Sequence, residues 1–259
     1  MPQYTLKNGA STTDARLDRV PFFDPRSLDY QISAVLDSTQ QSVVTNTWLA
    51  PPNTPVLDQG QDGACTGFAV TNELTWNPVP VPNLNGTFAV QKIYWPAQEI
   101  DPWPGGAYPG AYPHYDGTAV LYAIKAAVNL GYYTSYHWGT TENDMALGVS
   151  HLGPAVIGIN WTDGMFQPDS NGLVQPTGQV AGGHCVLVIG IDTSKQQYLI
   201  RNSWGAGWGL NGNCWIKRTD MAYLLAQQGE CCIITGRAMP GAKTVATADV
   251  TLLDSGKIS

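Results

Sequence analysis

Charge is scarce in this chain: Asp, Glu, Lys and Arg together make up 13% of its 259 residues. The 13 basic residues are outnumbered by 20 acidic ones, the net charge is −7, and no run of Lys or Arg occurs. That argues against nucleic acid and anionic membrane surfaces as partners. Long apolar runs are missing as well; none approaches the ~20 residues that cross a bilayer, so membrane insertion is not expected. Met1 to Val20 is polar and lacks the apolar core of a signal peptide. The cytoplasm is the default compartment; a trimmed mature form and an export route that leaves no such mark are the alternatives. Cysteine is sparse, and Cys65, Cys185, Cys214, Cys231 and Cys232 fall in no metal-ligand spacing. Neither a metal nor a cofactor is expected. Five thiols leave at least one unpaired, and Cys214 could pair with Cys231 or Cys232 only if their strands were neighbours.

What is present is apolar enough to fold. Hydrophobic residues make up 43%, which places the chain among globular proteins and allows one domain or two packed lobes. Residues 1–50 read as an N-terminal leader: an arm lying along the body or, less favoured, an inhibitory prosegment. Its stretch Arg16-Leu17-Asp18-Arg19-Val20-Pro21-Phe22-Phe23 has apolar side chains to pack on something. Within the body, residues 51–236, helices are expected from Cys65 to about Trp76, Phe88 to Gln98, Thr118 to Leu130, and Thr141 to Gly153 with an Asp144 capping box. Gly131 is a natural C-terminal stop, and Pro78, Pro80 and Pro82 end the first helix. Short branched runs follow at Ala155–Ile159, Cys185–Ile191, Gln197–Arg201, Cys214–Lys217 and Cys231–Thr235, with a helix from Met221 to about Ala226 capped by Asp220. The pattern predicts an α+β protein with a helical lobe near 57–150, a β lobe near 151–236 and a loosely held tail, 237–259. A cleft between the lobes is the natural place for a site.

Four residues carry chemistry. Cys65 follows Gly63-Ala64 at the expected start of a helix, where unpaired N–H groups and the helix dipole favour a thiolate. Beside an imidazolium such a thiol has a pKa of ~3.5–7.5. A lone Cys in a helix is more often an inert core residue, but a Gly-rich entry and Gln59 upstream suit an exposed turn. His184 follows Gly182-Gly183 and leads into a strand. Adjacent antiparallel strands would set Asn202 beside it, the amide oxygen accepting from one ring nitrogen and leaving the other to face Cys65. Trp204 and Trp208 are placed to shield that bond. Gln59, with the backbone N–H of Cys65, is the candidate pair of oxyanion donors.

These segments resemble the papain family of cysteine peptidases. Gln59-Gly60 through Cys65, Gly183-His184, and Asn202-Ser203-Trp204-Gly205-Ala206-Gly207-Trp208-Gly209 match that family's three active-site blocks in order, and the stretches Asp58 to Thr66 and Asp116 to Tyr136 look closer to microbial members than to plant or lysosomal ones. The likeness covers roughly Thr47 to Gly236. It implies a two-lobed fold, a helical N-terminal lobe and an antiparallel β-barrel-like C-terminal lobe. It also implies Cys65 as nucleophile, His184 as base and then acid, Asn202 orienting His184, and Gln59 in the oxyanion hole. Asp116-Gly117 would fall near the segment that pairs with substrate backbone. Gly158 and Gly183 would line a roomy, uncharged pocket for the second residue upstream of the cut, and Trp204 would border the cleft. Asp62 stands where many relatives have a disulfide cysteine, Thr66 replaces the usual tryptophan, Cys185 replaces a small alanine and would point into the barrel, and the long helical prosegment of secreted relatives is missing.

The expected function is hydrolysis of peptide bonds through a Cys65 thioester, acting on protein or peptide as a monomer. The rivals are a cysteine amidase or transglutaminase-type acyl transferase, and a catalytically silent scaffold that binds peptides.

Overall fold

The computed structural model describes residues 3–239; the expected tail lies outside them from residue 240. The chain begins with a hairpin, β1 (Tyr4–Thr5) and β2 (Ser11–Thr12), and reaches β3 (Asn46–Thr47) by two 3-10 turns. Helices α1 (Cys65–Leu74), α2 (Gly86–Phe88), α3 (Trp95–Ile100) and α4 (Val120–Asn129) form the first lobe. The second consists of β4 (Tyr133–Trp138), α5 (Glu142–His151), β5 (Ala155–Thr162), β6 (Val180–Asp192), β7 (Gln197–Arg201), β8 (Asn213–Lys217), α6 (Arg218–Ala226) and β9 (Glu230–Arg237). Among the described residues no helix is long and apolar enough to cross a membrane.

The main sheet is antiparallel, ordered β4-β9-β5-β6-β7-β8, with β3 pairing the end of β6. Both of its faces are covered, which is why β5 is buried at every position but Asn160. On one face Ile157, Val186 and Val188 share a core with Met145 and Val149 of α5 and Leu224 of α6. The alternate residues Val156, Cys185, Leu187 and Ile189 share the other core with Val70 of α1 and Ile124 of α4. The period-2 alternation therefore sorts the strand residues between two helical layers.

The α+β expectation holds: the main sheet is antiparallel and not closed, with β4 and β8 as separate edges that carry the single backbone bridges Gln31 to Trp138 and Leu173 to Trp215. The placing of Cys185 is corrected. Cys185 accordingly points between sheet and helical lobe, not into a barrel. Three strands, β5, β6 and β7, separate β8 from β9, so Cys214 cannot reach Cys231 or Cys232, and all five thiols are free and buried.

The α1 helix ends two residues short of the expected Trp76, and the second expected helix is interrupted by a π turn at Ala89–Tyr94. The Thr141–Asp144 capping box is formed. In α6 the helix starts at Arg218, so Asp220 sits in the first turn instead of capping it. Strand β6 starts at Val180, five residues before expected, because Gly182-Gly183 lie inside it. Strand β4 was not expected at all; its mixed Tyr-Thr-Ser-Tyr-His-Trp sequence has no apolar alternation and takes its geometry from pairing with β9.

Residues 3–50 are built into the body. Leu17, Val20 and Ile32 are fully buried, each contributing ~1.5–3 kcal/mol of apolar burial. After the hairpin the chain runs between the lobes. Arg19 donates its N–H to the Gly183 carbonyl (3.1 Å) and Val20 to the Thr118 carbonyl (3.0 Å). It then wraps over the sheet, where Asn46 and Thr47 pair with Ile191 and Gly190.

Candidate active site

The helical side supplies Cys65 and Gln59. Cys65 is the first residue of α1, so its backbone N–H is one of the donors a helix leaves unpaired at its start. Gln59 lies in the turn before it, and that turn is fastened to the segment after β7. Its N–H donates to the Ser203 carbonyl (2.9 Å), its side-chain Oε1 accepts from the Ser203 hydroxyl (2.7 Å), and its Nε2 donates to the Asp62 carbonyl (2.8 Å). The oxygen of Gln59 is thereby occupied, and one of its amide N–H groups is taken by the Asp62 carbonyl. Ser203 was noted in sequence only as part of a motif; its hydroxyl aims Gln59.

The sheet side supplies His184 and Asn202. Leu187 and Arg201 are register partners across β6 and β7, which carries the next residue, Asn202, to the neighbourhood of His184. His184 Nε2 lies 2.8 Å from Asn202 Oδ1, which also accepts from the Ser203 N–H at 2.8 Å. Because Oδ1 only accepts, Nε2 holds the proton and Nδ1 holds the lone pair. Both residues are fully buried, and Nδ1 has no hydrogen-bond partner. Trp204 stacks on the imidazole (centroids 5.0 Å apart, 26° between planes), Trp161 meets it edge-on at 4.9 Å, and Trp208 packs against both indoles. Trp161 was not singled out from the sequence and lay beyond the expected strand Ala155–Ile159, which in the structure runs on to Thr162.

One residue of the arm touches both sides. The backbone of Asp18 bridges to Gly183, next to His184, while its carboxylate accepts the Cys65 N–H at 3.0 Å. The other expected oxyanion donor is taken as well: Gln59 Nε2 donates to the Arg16 carbonyl at 3.2 Å. Arg16 places its guanidinium 4.2 Å above the Trp204 ring, held by a two-point pair with Asp14. The segment at Asp116-Gly117 pairs with arm backbone too, through Leu6 opposite Asp116 and Arg19 opposite Thr118. At Gly117 φ is +101°, and a Cβ there would lie 2.9 Å from the Asp18 carbonyl, so only glycine allows the arm to pass.

Gly158 and Gly183, expected to line an uncharged pocket, instead lie against Arg19, whose Nε and Nη2 donate to Glu230 Oε2 at 2.8 and 2.7 Å. Glu230 had no signal in sequence, since it is only the residue before a pair of cysteines; β9 brings it opposite Gly158.

The electrostatics follow from burial between the lobes. Desolvation, reinforced by the Asp18 charge, pushes the Cys65 thiol well above its ordinary 9.0. Burial pulls His184 from 6.5 down to about 4, against the opposing effect of the Asn202 bond. Burial also raises Asp18 from 3.8 to about 7, against its hydrogen bonds to Cys65. Thiol and imidazole are therefore both neutral at pH 7 in this arrangement, not the thiolate–imidazolium pair expected from the helix start.

A sequence model of the papain family cysteine protease matches residues 107–238, a span that holds His184 and Asn202 but not Gln59 or Cys65. Gamete and mating-type specific protein A of Dictyostelium discoideum is 28% identical over 190 residues, covering 66% of this chain and 42% of that protein. Human cathepsin O is 25% identical over 161 residues, covering 59% of this chain and 42% of that one. The chain thus spans about two fifths of the length of these curated relatives. In structure it is similar to xylellain, a cysteine protease from Xylella fastidiosa, with a TM-score of 0.64 at 17% identity over 88% of this chain and 98% of that one. At such identity the likeness is one of fold.

Proposed function

Given that the chain belongs to the papain family of cysteine proteases, we propose that it is a cysteine peptidase held latent by its own N-terminal arm. The observation that carries the reading is Asp18, whose carboxylate accepts the N–H of Cys65 while its backbone bridges to Gly183, the residue before His184. A substrate carbonyl oxygen placed where the Asp18 carboxylate oxygen now lies would meet the Cys65 N–H, and Gln59 Nε2 would complete the pair of donors once Arg16 withdrew.

With the arm displaced, water returns to the cleft. The desolvation that raises Cys65 and lowers His184 is then relieved, and a proton can pass from thiol to imidazole. The thiolate attacks the peptide carbonyl, the carbonyl electrons move onto the oxygen, and the two donors hold the charge that develops. As the C–N bond breaks, His184 gives its proton to the departing amine, leaving an acyl thioester on Cys65. Neutral His184 then takes a proton from water, which attacks the thioester and releases the acid and the thiol. Asn202 keeps the ring in the tautomer both steps use, and Trp204 keeps water from the His184–Asn202 bond.

Asp18→Ala in the full chain tests this. Deleting the first ~45 residues would test it poorly, since the loss of Leu17, Val20 and Ile32 from the core is expected to give insoluble protein. Iodoacetamide labelling of Cys65, mapped by mass spectrometry below pH 7, should be slow in the unaltered chain and ~10-fold or more faster in Asp18→Ala. The gain should vanish when His184→Ala is added. Unchanged labelling, with no peptide cleaved, would leave a silent scaffold as the better description.

A further inference from the structure

Five of the six arginines in the chain are in ion pairs with Asp or Glu. Arg201 is the exception among the described residues, although only 6% of it is exposed. Acidic residues outnumber basic ones by 20 to 13, so the exception is not one of supply.

What surrounds this guanidinium is aromatic, aliphatic or backbone. It lies 4.9 Å from the centre of the Trp76 ring. Nη1 donates to the Asn211 carbonyl (2.8 Å), the side chain's one hydrogen bond among the described residues, while Nε is buried without a partner. A Cβ at Gly212 would lie 2.7 Å from Nη1 and 2.5 Å from Val56 Cγ1, so the turn closes directly onto the charged group. Burial pulls Arg201 from 12.5 to about 10, which leaves it a cation at neutral pH. A buried cation is ordinarily matched by an anion, because an indole face and a single carbonyl do not replace the water it has lost. The group is nonetheless within reach of the surface: Asn211 is exposed and Val56 is half-buried.

We propose that Arg201 anchors a binding site for a small free carboxylate, held against the guanidinium between Trp76 and the Asn211-Gly212 turn. Such a ligand brings the missing negative charge and accepts from donors that the chain leaves unused. It is also the partner that guanidinium groups take elsewhere in this molecule: Arg16 and Arg218 each give Nε and Nη2 to the two oxygens of one carboxylate. Arg201 directly precedes Asn202, whose N–H donates to the Gly212 carbonyl at 2.9 Å. A carboxylate bound at Arg201 therefore holds the same turn that fixes the backbone of the amide orienting His184. The proposal does not depend on the peptidase reading.

The test is an NMR titration of the unaltered full chain, isotope-labelled, with sodium acetate replacing sodium chloride at constant ionic strength. Acetate should give saturable shifts in the Trp76 indole N–H, which donates to the Trp48 carbonyl, and in the backbone N–H groups of Asn202 and Gly212. In Arg201→Lys, which keeps the charge and loses the planar fork, the acetate Kd should rise ~10-fold or more. Shifts that fail to saturate, shifts centred on other basic residues, or a Kd unchanged in Arg201→Lys would overturn the proposal. So would the absence of any shift in the unaltered chain; if shifts then arose after Asp249→Asn and Asp254→Asn, the carboxylate would belong to the chain itself and not to a free ligand. If Arg201→Lys does not fold, the position and saturation of the shifts in the unaltered chain decide alone.

Discussion

The two halves of the candidate site are held by different means. On the sheet side, His184 and Asn202 are fixed by each other, by the Ser203 N–H and by a cage of Trp161, Trp204 and Trp208. None of those contacts involves the arm. On the helical side the two oxyanion donors, the Cys65 N–H and Gln59 Nε2, both point at arm atoms. On the proposed reading, His184 and Asn202 are held by contacts that do not use the arm, whereas the donors beside Cys65 are occupied by it, and activation would turn on the withdrawal of Arg16 to Arg19.

Three substitutions sharpen or break that comparison. In the arm-loosened Asp18→Ala chain, Cys65→Ala should lower peptide turnover by ~10³-fold or more with the fold retained; activity near that of the parent would remove Cys65 from the chemistry. In the same background Gln59→Ala should lower kcat by ~10²-fold, as loss of one oxyanion donor does. If KM alone moved, Gln59 would be a binding residue, and the helical side would have lost one of its two functions.

The smallest effect is on stability, and it reads the two sides through opposite pH dependences. Asp18 is raised in the folded chain, so the folded state binds more protons than the unfolded one between 3.8 and about 7. Its contribution is whole below 3.8 and lost as pH rises through about 7. His184 is depressed, so its contribution is whole above 6.5 and lost as pH falls through about 4. Asp18→Asn removes the first dependence alone. The stability of that variant relative to the unaltered chain should therefore climb with pH by up to about 1.4 kcal/mol per unit across the window from 3.8 to about 7. Denaturant titrations at pH 4.5, 5.5 and 6.5 (~one unit apart) measure it. A difference that stays level with pH would mean that Asp18 titrates as an exposed carboxylate, and the contact between arm and helical side would have to be redrawn.

Much of the site was legible from local chemistry. Gln59, Cys65, His184 and Asn202 stood out because each has a side chain matched to one task and flanking glycines or tryptophans that a plain core does not need. The α+β division followed from a change of period, and the capping box at Thr141 from two side chains three residues apart. What stayed illegible depended on which distant segments meet. The glycines that open β6 were left outside the expected strand, because the reason for them, close passage of the arm, lies in residues more than 160 positions earlier. Glu230 looked like any charged residue at a strand start until register with β5 put it under Gly158. The thiol looked activated because the helix start alone favours a thiolate, and burial together with the Asp18 charge reverses that.

The sequence by itself determined the chemical inventory and the local elements, because side-chain identity, period and capping act within a few residues. The tertiary structure alone decided that the sheet stays open, that the five thiols stay apart, that Glu230 pairs with Arg19 beside Gly158 and that Arg16 to Val20 run between the lobes. Each of those depends on desolvation and strand pairing between segments far apart in the chain, and neither leaves a mark on local sequence.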